Sequence, residues 1–232
     1  MGKYLGGTDS PKALVDAGLR VMERFDATTH AAVAADVKKY LGWHKRYAAR
    51  AEAVARAEAV LSAAREALAE ADATRDEATM ALDRALIAEG APKTNAFKAY
   101  GAPPPAQVIE AAIVDQGRLV RGLVGKLKRV KTLAPGVKGA LKALERANAA
   151  VEPKAAKVKG SLDALAAARK ERDALERPLR RALSVLKLRA RAAELEGATG
   201  LHAELFSDAR RRTQEPDEAP LPDSAPTPPH PG

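Results

Sequence analysis

The stretch WHKRYAARAEAVARAEAVLSAAREALAEADATRDEATMALDRALIAE, residues 43–89, contains neither glycine nor proline, and its reading decides the fold. Val54, Leu61, Leu68, Arg75 and Leu82 recur at heptad spacing, with Ala57, Ala64, Ala71, Ala78 and Ala85 in a parallel row. A bulky row beside an unbroken alanine row lets two helices approach closely and pack antiparallel. Helical throughout, the stretch spans roughly 70 Å at about 1.5 Å per residue. Gly90 and Pro92 follow in the order expected at a helix C-terminus.

Upstream, Ser10-Pro11 supplies an N-cap and a proline at the first helical position. The pattern predicts a helix from there to about Lys39, re-starting near Thr28, with Gly42 as a joint. Residues 1–10 read as a flexible N-terminus. Downstream, residues 90–105 carry Gly101 and Pro103-Pro104-Pro105 and read as a stiff linker. A helix is then expected from Ala106 to about Leu133, broken at Pro135-Gly136, before a second long helical stretch over residues 137–196. Pro153 and Pro178 are its expected kinks or re-starts. Residues 198–212 read as a short amphipathic helix, and the proline-rich acidic stretch 213–232 as a disordered tail.

The two halves match each other. Leu14-Val15-Asp16-Ala17-Gly18 aligns with Ile113-Val114-Asp115-Gln116-Gly117, and residues 67–86 align with 164–183. The second match pairs Arg75 with Arg172, Asp76 with Asp173, Leu82 with Leu179 and Leu86 with Leu183. Internal self-similarity of this kind marks duplication. The expected fold is therefore all-α: an elongated antiparallel helical bundle or coiled coil built from two tandem helical-hairpin repeats. Residues 11–89 form the first repeat and 106–197 the second, related by a pseudo-two-fold.

Composition agrees with thin helical packing. Aromatic residues make up 3% of the chain and charged residues 30%, so contacts must come mainly from Ala, Leu and Val. There is no cysteine, which excludes disulfides, thiolate catalysis and Cys-based metal sites. No apolar run is long enough for a transmembrane helix. The opening residues lack the apolar core of a signal peptide. A cytoplasmic protein, peripheral to membrane or nucleoid, is the expectation.

No catalytic constellation is visible. His30, His44, His202 and His230 are scattered without ligand-spaced partners, and no Glu-x-x-His pair is present. Phosphate-cradling glycine loops and nucleophile elbows are missing too. No enzyme activity, cofactor or metal is expected. Arg75 and Arg172 each interrupt an apolar row at the equivalent place. An unpaired buried guanidinium is expensive, so each should meet a carboxylate and fix helix register. The sharper alternative has both converging on an anionic ligand at the pseudo-two-fold.

Charge is the strongest functional signal. The net charge is +9, although the tail adds Glu215, Asp217, Glu218 and Asp223 and no Lys or Arg. Between Gln116 and Leu144 no acid appears, while Arg118, Arg121, Lys126, Lys128, Arg129, Lys131, Lys138 and Lys142 all do. A second acid-free run carries Arg177, Arg180, Arg181, Lys187, Arg189 and Arg191. Such one-sided clusters attract phosphates of nucleic acid or of anionic lipid, unless acids on a neighbouring helix balance them. Tyr40, Trp43 and Tyr47 cluster at helical spacing and read as a plug for one bundle end. The leading expectation is a non-catalytic scaffold docking its basic face on an anionic surface, nucleic acid or membrane. The alternative is a protein–protein module that self-associates, or binds partner helices, through its Ala/Leu seams.

Overall fold

A computed structural model describes residues 10–28 and 30–206. The expected flexible N-terminus up to residue 9, residues 207–212 of the short helix and the proline-rich tail lie outside these residues. Among the described residues the chain is all-α: α1 Pro11–Arg24, α2 Ala34–Ala88, α3 Pro105–Glu110, α4 Ile113–Leu127, α5 Pro135–Leu195 and α6 Leu201–Phe206. Short 3-10 turns occupy Ala31–Val33 and Lys98–Tyr100. No described helix is long and apolar enough to cross a membrane.

Several helix ends differ from the sequence expectation. The Ser10 hydroxyl accepts from the Ala13 N–H at 3.2 Å, as an N-cap should. But α1 stops at Arg24 rather than near Lys39. Side chains close a turn there: Asp26 Oδ1 accepts from the Thr28 N–H at 2.8 Å, and His30 Nδ1 accepts from the Asp26 N–H at 2.9 Å. Local bonds of this type compete with helix continuation. Gly42 is no joint, since α2 runs through it without a break. The weak propensity of one glycine, about 1 kcal/mol, is offset by the burial of Val37, Tyr40, His44 and Tyr47 around it.

The expected linker is a folded part of the core. Asn95 Oδ1 accepts from the Phe97 N–H at 2.9 Å, and its Nδ2 donates to the Ala102 carbonyl at 3.2 Å. This holds Ala96 and Phe97 fully buried against Leu82, Leu86 and Val120. The expected single helix 106–133 is split between α3 and α4 by extended backbone at Ala111. In one straight helix Val108 and Val120 would point about 120° apart. The break lets both enter the same core. Pro135 opens α5 instead of breaking a helix, and α5 continues through Pro153 and Pro178 without a re-start.

The chain divides into two compact units: Met1–Tyr47 with Glu176–Gly232, and Ala48–Leu175. The first unit joins two separate stretches of the sequence, whereas the second is one continuous stretch. In the first unit α1 packs on α6 and, through Gly18, on His44 of α2. Tyr40 and Tyr47 are fully buried there, while Trp43 carries the Arg46 guanidinium 5.2 Å above its ring. Burial pushes the Tyr40 hydroxyl pKa well above its ordinary value.

In the second unit α2 and α5 pack antiparallel. Arg50 pairs with Glu171 at 2.7 Å and Glu58 with Arg169 at 2.7 Å, so one helix descends as the other rises. Beside these pairs Val54 and Leu61 share a buried cluster with Leu165, with Ala57 and Ala168 packed against it. The largest core of this unit joins the end of α2, the 90–105 segment, α3, α4 and the start of α5.

Candidate polyanion-binding face

The chemistry-bearing residues of the second unit begin with Arg75, whose side chain is only 1% exposed. It faces α4 because the heptad row of α2 faces inward. Its Nη2 donates to Asp72 on the preceding turn and to Gln116 Oε1 of α4, and Nη1 reaches the Ile113 carbonyl at 3.3 Å. Gln116 Nε2 in turn donates to Asp76. The guanidinium is thus paired and ties α2 to α4. Arg172 is placed otherwise: it is half-buried and pairs with the adjacent Asp173. The Arg50–Glu171 pair sets that end of α5 beside residue 50. Arg75 lies roughly 37 Å further along α2 at about 1.5 Å per residue. The two arginines do not converge on a common ligand.

The basic residues of the first acid-free run are all exposed. Arg118, Arg121 and Lys126 project from α4, Lys128, Arg129 and Lys131 from the segment after it, and Lys138 and Lys142 from the first turns of α5. Few are neutralised at close range. Arg118 has Asp115 at 3.6 Å, Lys128 pairs with Glu145, and the Lys126 ammonium reaches the Gly101 carbonyl at 3.4 Å.

The second run lies in the other unit and is mixed. Arg181, Arg189 and Arg191 are exposed, whereas Arg180 and Lys187 are half-buried. Arg180 Nε donates to Glu176 at 2.8 Å, and the Lys187 ammonium sits 5.5 Å above the Phe206 ring. Those two side chains serve packing within their unit.

A cleft of about 250 Å³ lies between α4 and α5, lined by Arg121, Val124, Gly125, Lys128, Glu145 and Asn148. Asn148 is 8% exposed and its Oδ1 has no hydrogen-bond partner. The available signal was its position: it stands on the apolar seam of α5 after Val137, Leu141 and Leu144, where a hydrocarbon is expected. Gly117 of α4 faces it. A Cβ added there would lie 3.6 Å from Asn148 Oδ1, 3.6 Å from Arg75 Nη1 and 3.7 Å from Arg121 Nη1.

Among the described residues no group of three acidic or imidazole side chains is arranged to hold a metal ion. Compared with known proteins, the chain matches no family model, no curated protein and no solved structure.

Proposed function

We propose that this protein is a non-catalytic helical scaffold that docks on the phosphate backbone of duplex nucleic acid through α4, the segment after it and the first turns of α5. The observation that carries this reading is the concentration of exposed cations from Arg118 to Lys142 with no acid among them. Phosphate contacts of this kind position a protein without reading sequence. The same charges would attract an anionic membrane, but interfacial binding also needs an apolar surface to insert. From the start of α4 to Lys142 the exposed large hydrophobics are only two, Val114 at 71% and Val130 at 38%. The second basic run, at Arg180, Arg181, Lys187, Arg189 and Arg191, is a lesser contributor in this reading because two of its members are engaged internally. We take the halves of the chain to be tandem copies, each a short helix laid on the start of a long one. Gly18 against His44 and Gly117 beside Asn148 support that view.

The test is binding of the full chain to labelled duplex DNA and to phosphatidylserine vesicles across about 50 to 200 mM salt. DNA binding that weakens steeply with salt supports the reading. Binding to vesicles alone would move the partner to a membrane. Binding to neither would assign the cations to an acidic protein.

A second reading has its own observation. Leu188 and Leu195, one heptad apart on α5, are 64% and 92% exposed, with Val185 beside them at 39%. This stripe offers a seam for a second copy or a partner helix. The Ala/Leu seams of residues 54–82 are less available, because Val54, Leu61, Ala64, Ala71 and Leu82 are already buried. Sedimentation equilibrium of Leu188→Glu/Leu195→Glu beside the parent chain tests it; a parent that stays monomeric at all concentrations contradicts it.

A further inference from the structure

We infer that the exposed stripe near the end of α5 is covered by the chain's own acidic segment, residues 215–223; this rests on the stripe of the second reading above and gives it an occupant in the same chain. A helix that packs on one side needs only one apolar face. The end of α5 has two. Leu183, Leu186, Ala190 and Ala193 are buried in its unit. Leu188 stands about 160° around the helix from Leu186 and Ala190, at roughly 100° per residue. Yet Leu188 and Leu195 are 64% and 92% exposed, with Val185 at 39%. Arg181 lies one heptad before Leu188 on the same line and Arg189 beside it, both exposed. The stripe is thus apolar, bordered by arginine, and about 20 Å long from Arg181 to Leu195 at about 1.5 Å per residue.

Charge and tether choose the occupant. A second copy laid on this stripe through a two-fold contact brings the same arginines to both sides of the seam. Residues 215–223, EPDEAPLPD, instead carry Glu215, Asp217, Glu218 and Asp223 with no Lys or Arg, and Leu221 is an apolar side chain set between those acids. The described residues end at Phe206, whose ring the Lys187 ammonium meets at 5.5 Å, one position from Leu188. Leu221 follows Phe206 by 15 residues, and a coil of that length has an r.m.s. span of about 20 Å, which matches the stripe. A tether matched to its span gives an effective concentration in about the millimolar range, so modest contacts suffice. Pro216, Pro220 and Pro222 restrict φ and lessen the freedom lost on docking. Arg181 and Arg189 repel the intervening Arg210, Arg211 and Arg212, which sets the contact beyond them. With its acids along Arg181 and Arg189, the segment brings Leu221 over Leu188.

The chain has no cysteine, so Ser224→Cys places a single nitroxide on the full-length protein, next to Asp223. The readout is paramagnetic broadening of the Val185, Leu188 and Leu195 methyl signals in dilute protein. It is taken in this parent and in two further variants, Leu221→Asp and Glu215→Lys/Asp217→Lys/Glu218→Lys, whose changes all lie beyond α6. The variants report what the tether alone does. Sedimentation equilibrium of the unlabelled parent gives its oligomeric state.

Loss of the three methyl signals in a monomeric parent, with their return in both variants, establishes the contact and removes the second copy from the stripe. Unbroadened signals, or equal broadening in parent and variants, overturn the contact. Broadening seen only when nitroxide-bearing chains are mixed with isotope-labelled chains lacking it also overturns it, and gives the stripe to the segment of another copy. A parent that dimerises, and stops doing so in Leu188→Glu/Leu195→Glu, overturns this occupant and leaves the second reading standing.

Discussion

At the residue scale, two glycines in matching positions should respond in opposite directions to the same methyl group. In Gly18→Ala the Cβ collides with a buried His44 ring that cannot swing away without losing its bond to Val15. Overpacking of this kind costs about 1–3 kcal/mol, more than the helix propensity gained. In Gly117→Ala the methyl meets ordinary contacts, and replacing glycine inside a helix gains up to about 1 kcal/mol. Urea unfolding of the two variants should therefore shift down and up respectively. Arg75→Ala should be more damaging, at about 3 kcal/mol, because it strands Asp72 and Gln116 beside an emptied site. The sequence showed that Arg75 was out of place on an apolar row. It could not show that Gln116 and Ile113 of another helix are its partners. Asn148 was harder still: its place on the seam after Val137, Leu141 and Leu144 marks it as turned inward, but not that Gly117 of another helix stands opposite it.

At the element scale, the long helices were legible and their ends were not. Glycine-free and proline-free heptads specify α2 directly. Its start was hidden, because α1 ends through the Asp26–Thr28–His30 turn, made by side-chain bonds that leave no periodic trace. The segment 90–105 conceals its packing for a related reason. Its glycines and prolines marked a chain reversal, but the burial of Ala96 and Phe97 depends on helices distant in sequence. The alanine row of α2 makes a sharp prediction. Ala64 is 2% exposed, so Ala64→Leu should lower stability by about 1–3 kcal/mol in thermal or urea unfolding, although leucine is an excellent helix former. The C-terminal helix α6 makes another. The pKa of His202 is lowered, first by burial and then by Arg191 and Lys187, with Glu194 acting in the opposite sense. Its unfolded value is about 6.5, so the unfolded chain takes up the proton first as pH falls. Stability tied to this group is complete above about pH 6.5 and declines as pH drops from there through the lower folded value. His202→Gln should flatten that decline in urea midpoints measured from pH 7.5 to 5.

At the scale of the whole molecule, the class of fold followed from composition and period, whereas the partner did not. A net charge of +9 constrains attraction at a distance and says nothing about which surface receives it. The placement of the cations narrows the field: those from Arg118 to Lys142 are all exposed, while Arg180 and Lys187 are turned to packing. The most direct test of the docking reading is the salt dependence of duplex DNA affinity for the parent and for Lys126→Gln/Arg129→Gln/Lys131→Gln, which leaves the cleft intact. Each phosphate contact removed should reduce the slope of log K against log salt by about 0.9. The account predicts a steep parental slope, flattened by about two to three in the variant, with unfolding curves that superimpose. A parental affinity indifferent to salt, or a variant with the parental slope and affinity, would contradict it.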